Sequence, residues 1–197
     1  YMAGNIIWIF FSEILTLSSD TFNANKGIFG KVYFPRMAVP IANCVSKLIS
    51  FTIQFVIFII LLFYANHYEP LIKSKYLLIL TPIFIIILSF LGTGLGIIVS
   101  SLTTKYKDLQ VLFTFIVTLL MYATPIIYPI SAVPIDYRPY IMLNPVAPLV
   151  EAFRFIYLGA GMFNYLYLLY SFLFSITIFF FGVIIFNKTE KNFIDTI

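Results

Sequence analysis

Charge is scarce in this sequence. Only 10% of its 197 residues are Asp, Glu, Lys or Arg, against about 25% in an ordinary soluble domain. A chain of this size must cover its surface with polar groups to stay in water, and a hydrophobic content of 61% leaves too few to do so. The shortage excludes a single water-soluble core and points to a polytopic membrane protein. Cysteine occurs once, at Cys44, so no internal disulfide can form; in its apolar run the thiol reads as small buried filler. Histidine also occurs once, at His67, and no Cys or second His accompanies it to make a zinc-ligand set. The run Gly27-Ile28-Phe29-Gly30-Lys31 lacks the spacing and the following Ser/Thr of a nucleotide-phosphate loop, and no GxSxG, HExxH or CxxC occurs. No catalytic residue, no metal ligand and no cofactor is therefore assigned to this chain. The net charge of +4 is modest and scattered, which fits basic loops on a membrane protein and excludes a nucleic-acid stripe.

What is abundant is apolar sequence in long runs. A helix crossing the hydrocarbon needs about 20 mostly apolar residues. Runs at about 41–64, 77–101, 109–128 and 163–186 meet that, and a fifth at about 2–18 is shorter and carries Glu13 near its end. In lipid each must be helical, because every backbone polar group needs an internal partner. The predicted fold class is all-α: a membrane helix bundle of about five spans forming one domain over 1–197. Within the run at 77–101 Gly92, Gly96 and Ser100 recur every four residues, a small-residue face that lets another helix approach closely. Pro82 and Pro125 are expected to kink or end helices.

Basic residues near span ends favour the cytoplasm. Lys26, Lys31 and Arg36 lie in the first connection, about 19–40; Lys105 and Lys107 lie in the third; Lys188 and Lys191 lie in the tail. The second connection, about 65–76, holds Lys73 and Lys75, and the fourth holds Arg138 and Arg154, so their bases are spread over a longer combined length. This bias makes the tail cytoplasmic and, with five spans, places Tyr1 outside. A chain that begins outside without a leader is expected to be the N-terminally truncated form of a six-span parent with both ends inside.

The connection at about 129–162 is unusual. From 125 to 161 the chain reads PIIYPISAVPIDYRPYIMLNPVAPLVEAFRFIYLGAG, too apolar for an exposed loop and too broken by proline for one spanning helix. Short helices dipping back into the outer leaflet are expected, since such backbone is tolerated where protein or a water-filled cavity surrounds it. Glu151 and Arg154 form an i,i+3 pair there. Two readings stay open on physics alone: an interfacial amphipathic helix with a surface pair, or part of an outer gate.

In order and spacing, NKGIFGKVYFPRMAVP, TKYKDLQ, LLMYATPIIYPISAVP and LNPVAPLVEAFRFIYLG resemble the permease subunit of bacterial ABC exporters of polysaccharides and polyol phosphates, the ABC type-2 transmembrane domain. The likeness covers essentially the whole chain. It implies that the first connection docks on an ATP-binding ABC subunit through a coupling helix that includes Asn25, Lys26, Lys31, Tyr33, Phe34, Pro35 and Arg36, with Lys105, Tyr106, Lys107 and Asp108 as a smaller second contact. The gate or outer region expected from the proline-broken segment includes Pro129, Asn144, Pro145, Glu151 and Arg154. The likeness also implies a homodimer of the permease, with a conduit for which Phe115, Tyr122 and Tyr128 are lining candidates. ATP and Mg would sit on the partner subunit. The substrate implied is a lipid-linked polysaccharide of O-antigen, capsule or teichoic-acid type, carried across the bacterial inner membrane. The alternatives weighed are a drug or small-molecule exporter of the same broad family, a membrane-embedded lipid-modifying enzyme, and a purely structural scaffold. The scattered acids oppose the enzyme, and the long proline-rich segment is left unexplained by the scaffold.

Overall fold

A computed structural model describes residues 1–29, 35–68, 75–104, 106 and 108–194. The described residues are helical and turn structure, with no strand among them. The helices are α1 (Met2–Ser19), α2 (Thr21–Ala24), α3 (Lys26–Phe29), α4 (Ala38–Tyr68), α5 (Thr81–Thr103), α6 (Leu109–Ala123), α7 (Arg138–Met142), α8 (Ala147–Leu158) and α9 (Tyr165–Ile194). Four are long and apolar enough to cross a membrane: α1, α4, α5 and α9. Helices α7 and α8, with the turn before them, bend by 109° at their junction, the shape of a re-entrant pair. The apolar runs thus become a polytopic helix bundle with re-entrant helices before its last span.

Proline chemistry sets the boundaries. The run at 109–128 was expected as one span, but α6 stops at Ala123 after 15 residues. Thr124 is extended (φ −94°, ψ 139°), the conformation forced on a residue that precedes proline, here Pro125. Pro82 starts a helix instead of kinking one. It sits in the first turn of α5, where its missing N–H is not needed, and a 3-10 segment, Lys75–Leu80, leads into it.

Helix α5 is the centre of the bundle and packs most extensively on α9 and α1. Its small-residue face meets α1 as expected. A Cβ added at Gly92 would lie 3.0 Å from Ile14 Cγ2, and one at Gly96 would strike Ser18 Cβ and lie 2.9 Å from the Leu15 carbonyl. The opposite side of α5 is equally tight. A Cβ on Gly94 would lie 2.8 Å from Phe179 Cα, and one on Gly182 would lie 2.7 Å from the Gly94 carbonyl oxygen. Between lipid-embedded helices there is no water to expel, so close backbone contact of this kind supplies the attraction. Around this slab lies the core of Ile7, Phe10, Phe11, Ile14, Leu88, Leu91, Leu149 and Phe153.

Helices α4 and α6 are attached more loosely. On α4, Ile41, Val45, Ile49, Ile53, Val56, Ile60 and Phe63 form an exposed apolar stripe, and α6 exposes Val111, Leu112, Phe115, Leu119 and Tyr122. Apolar surface of this extent marks contact with lipid or with another protein. The end of the bundle carrying α2 and α3 is called basal below, and the end carrying α7 and α8 apical.

Two glycines separate packing from propensity. Gly182→Val forces α9 off α5 and is expected to cost at least about 1–3 kcal/mol, as overpacking does, read as a clear drop in the thermal midpoint of detergent-solubilised protein. Gly27→Ala, where an added Cβ meets nothing within 4 Å, leaves that midpoint unchanged or slightly raised.

Candidate functional site

The apical end is organised by one buried ion pair. Pro148 lies in the first turn of α8, and the i,i+3 spacing brings Arg154 Nη1 2.6 Å from Glu151 Oε1. Glu151 is 0% exposed and Arg154 6%, so the two do not form a surface pair. The remaining hydrogen-bonding capacity goes to backbone. Arg154 Nη2 donates to the carbonyls of Pro125 and Ile126, both at 2.9 Å, and Nη1 donates to that of Tyr128 at 3.3 Å. Glu151 accepts from the N–H of Ile130 (3.3 Å) and of Met162 (3.2 Å). These two side chains satisfy backbone groups of the proline-broken segment between α6 and α7 and of the turn after α8.

The surroundings reinforce the clamp. Asn144 Nδ2 donates to Thr124 Oγ1 at 2.8 Å, while its Oδ1 accepts from Val146 N–H and turns the chain into α8. Tyr170 on α9 donates to the Leu143 carbonyl at 2.9 Å. Tyr157 and Thr81 share a hydroxyl hydrogen bond of 2.7 Å that ties α8 to α5. Gly159 ends α8 in the left-handed conformation (φ 64°), which glycine adopts without strain. Gly4 of α1 packs under the loop, where a Cβ would lie 3.1 Å from the Ile126 carbonyl.

Of the residues expected at the outer region, Asn144, Glu151 and Arg154 are thus brought together. Pro145 is half-buried beside them, and Pro129 is exposed before a 3-10 turn. The three aromatic candidates split. Phe115 and Tyr122 are exposed on α6. Tyr128 is half-buried, with its hydroxyl donating to the Tyr122 carbonyl at 3.3 Å.

Below them a groove of about 430 Å³ opens between α1, α4 and α6. Ser12, Glu13, Thr16, Lys47, Thr114 and Thr118 give it a polar wall, and Trp8, Val117 and Met121 an apolar one. Lys47 Nζ lies 3.2 Å from Glu13 Oε2. The sequence places both charges at the same depth of neighbouring spans, which was the available signal for this pair. The Thr114 and Thr118 hydroxyls on α6 each donate to the carbonyl four residues back, so their lone pairs remain open to a ligand in the groove.

At the basal end Asn25 Nδ2 donates to the Thr21 carbonyl at 2.9 Å, and Lys26 and Pro35 are exposed. Arg36 is buried at 5% exposure and turned onto α9. Tyr106 and Asp108 are exposed at the α5–α6 turn. Lys31, Tyr33, Phe34, Lys105 and Lys107 lie outside the described residues. Among the described residues no cluster of three His, Cys, Asp or Glu converges on a metal position.

A bundle of apolar helices, a bent helix pair stitched down by a buried ion pair, and a basic connection at the opposite end describe a multi-pass membrane protein. Residues 1–158 match the ABC-2 type transporter family, and the chain belongs to it. It is 28% identical over 192 residues to an O-antigen export system permease protein of Klebsiella pneumoniae, covering 98% of this chain and 72% of that protein. An O-antigen export permease of Myxococcus xanthus is 23% identical over 156 residues, 78% of this chain and 58% of that one. A polysialic acid transport protein of Escherichia coli is 23% identical over 188 residues, 95% of this chain and 71% of that one.

Truncating either partner of the apical pair leaves a buried charge unpaired, at a cost of about 3–5 kcal/mol. Arg154→Met and Glu151→Gln are therefore each expected to lower the thermal midpoint sharply. Arg154→Lys does not restore it, because a compact ammonium cannot span carbonyls that the planar guanidinium reaches from two nitrogens.

Proposed function

We propose that this chain is the membrane-spanning permease of an ATP-driven exporter whose substrate is a lipid-linked polysaccharide of O-antigen or capsule type. The observation that carries the reading is the match to O-antigen and polysialic acid permeases along nearly the whole chain, combined with a groove that suits a sugar. Carbohydrates offer apolar C–H faces and a rim of hydroxyls. Exposed Phe115 and Tyr122 supply ring faces on α6, and the hydroxyl-rich groove beside them supplies polar partners.

The same helix supports a paired assembly. The exposed apolar face of α6 finds little cover within one chain, so two permeases would place it between them. An ATP-binding subunit, holding ATP and Mg, would dock on the basal connection, with Lys26 and Pro35 as exposed contacts. In this arrangement the basal end and the C-terminus face the cytoplasm of a bacterial inner membrane, in keeping with the positively charged connections. Binding of ATP would close the partner dimer and displace the basal connections, and the apical re-entrant region would open for the polymer. The drug-exporter alternative has no comparable support from the relatives. The scattered acids of the sequence oppose the lipid-modifying enzyme.

The test is purification of the tagged permease from its native membrane together with a deletion strain. An ATP-binding subunit should co-purify, and deletion should trap surface polysaccharide inside the cell. A permease that purifies alone, in a strain that still displays its polymer, ends this reading. Within a working exporter, Phe115→Ala with Tyr122→Ala should reduce polymer export by about tenfold, the equivalent of about 1.4 kcal/mol of lost stacking.

A further inference from the structure

Arg36 has a different setting from the rest of the basal connection. Lys26 and Pro35 face outward, but the Arg36 guanidinium is buried between α3 and the end of α9. Its Nη1 donates to the Glu190 carbonyl at 2.9 Å, its Nε lies 3.9 Å from Glu190 Oε1, and its carbon centre stands 5.3 Å over the Phe29 ring. Beside it Phe22 of α2 stacks on Phe186 of α9 with centroids 4.5 Å apart. Phe22, Phe29, Ile97 and Phe186 form a small core of their own, separate from the main one. The Phe22 N–H donates to Ser100 Oγ on α5 at 3.2 Å. The basal connection is therefore fastened to the ends of α5 and α9, the two helices whose backbones touch at Gly94 and Gly182. At its other end α9 holds the re-entrant region through Tyr170 and the Leu143 carbonyl.

We propose that Arg36 is a positioning residue that bolts the basal connection to α9, so that a push on that connection moves α9 and α5 as one body and reaches the apical region without bending a span. This rests on the exporter reading, because it needs a partner that pushes. It separates two tasks within the connection. The exposed residues meet the partner, and Arg36, buried and already committed to α9, carries the displacement inward. A charge-assisted hydrogen bond and a cation over a ring suit that task, since both resist sliding more than apolar contact does.

The experiment uses the permease with its ATP-binding partner in liposomes, in a Cys44→Ser background. Spin labels are placed on Ala24→Cys and Asn187→Cys, both exposed. With Arg36 present, the distance between the labels stays narrow and constant when nucleotide binds. With Arg36→Gln, it broadens and shifts, ATP consumed per polymer exported rises by about tenfold, and the partner still co-purifies in the same ratio. Loss of the partner in Arg36→Gln would overturn the proposal, because Arg36 would then be an interface anchor. An unchanged distance and an unchanged ATP cost would overturn it as well. If Arg36→Gln fails to fold, Phe186→Leu carries the test from the α9 side: it must broaden the same distance and raise the same ratio, and a rigid pair there overturns the bolt. A wild-type permease that recruits no ATP-binding subunit ends the exporter reading itself, and the bolt with it.

Discussion

The structure depends on how closely α5 approaches its two neighbours. Glycines at 92 and 96 let α1 lie against one side of α5, and Gly94 with Gly182 lets α9 lie against the other. Nothing larger fits at those positions without parting the helices. The remaining features follow from this three-helix slab. Its apical rim seats α8, through Thr81 on α5 and Gly4 on α1. Its basal rim seats α2 and α3, through Ser100 and Phe186. Helices α4 and α6 lean on its flank and keep broad apolar faces for lipid or for another chain.

Much of this was legible in the residues. Long apolar runs can only be helices in lipid, so the spans follow from composition and length. The four-residue recurrence of Gly92, Gly96 and Ser100 foretold a close helix contact, and the structure supplies α1 as the neighbour. Prolines marked the broken segment before α9. The extent of α6 was overestimated, because apolarity continues past Thr124 while the backbone rule for a residue before proline does not allow the helix to. Gly94 was passed over, because it falls outside the four-residue pattern and its partner, Gly182, is 88 residues away.

The site was harder to read. The i,i+3 spacing of Glu151 and Arg154 says that the two can meet, but it says nothing of burial. Only the tertiary fold reveals that the guanidinium also holds carbonyls at 125, 126 and 128. Long-range partnerships have no local trace: Arg36 and Glu190 are joined across most of the chain. Conversely, Phe115 and Tyr122 could be named from sequence only as two among many aromatics. Their exposure on a helix beside a groove with a polar wall is what sets them apart from Phe10, Phe84 and Phe153 in the core.

The apical clamp also has a consequence for how the protein is made. The carbonyls that Arg154 satisfies belong to residues 125–128, which leave the ribosome before Arg154 does. Until α8 is synthesised and folds back, those groups have no protein partner, and hydrocarbon offers none. The segment after α6 is thus obliged to wait in a wet environment, at the interface or inside the insertion machinery. The apical end must close late, and the arrival of one arginine releases it into the bundle.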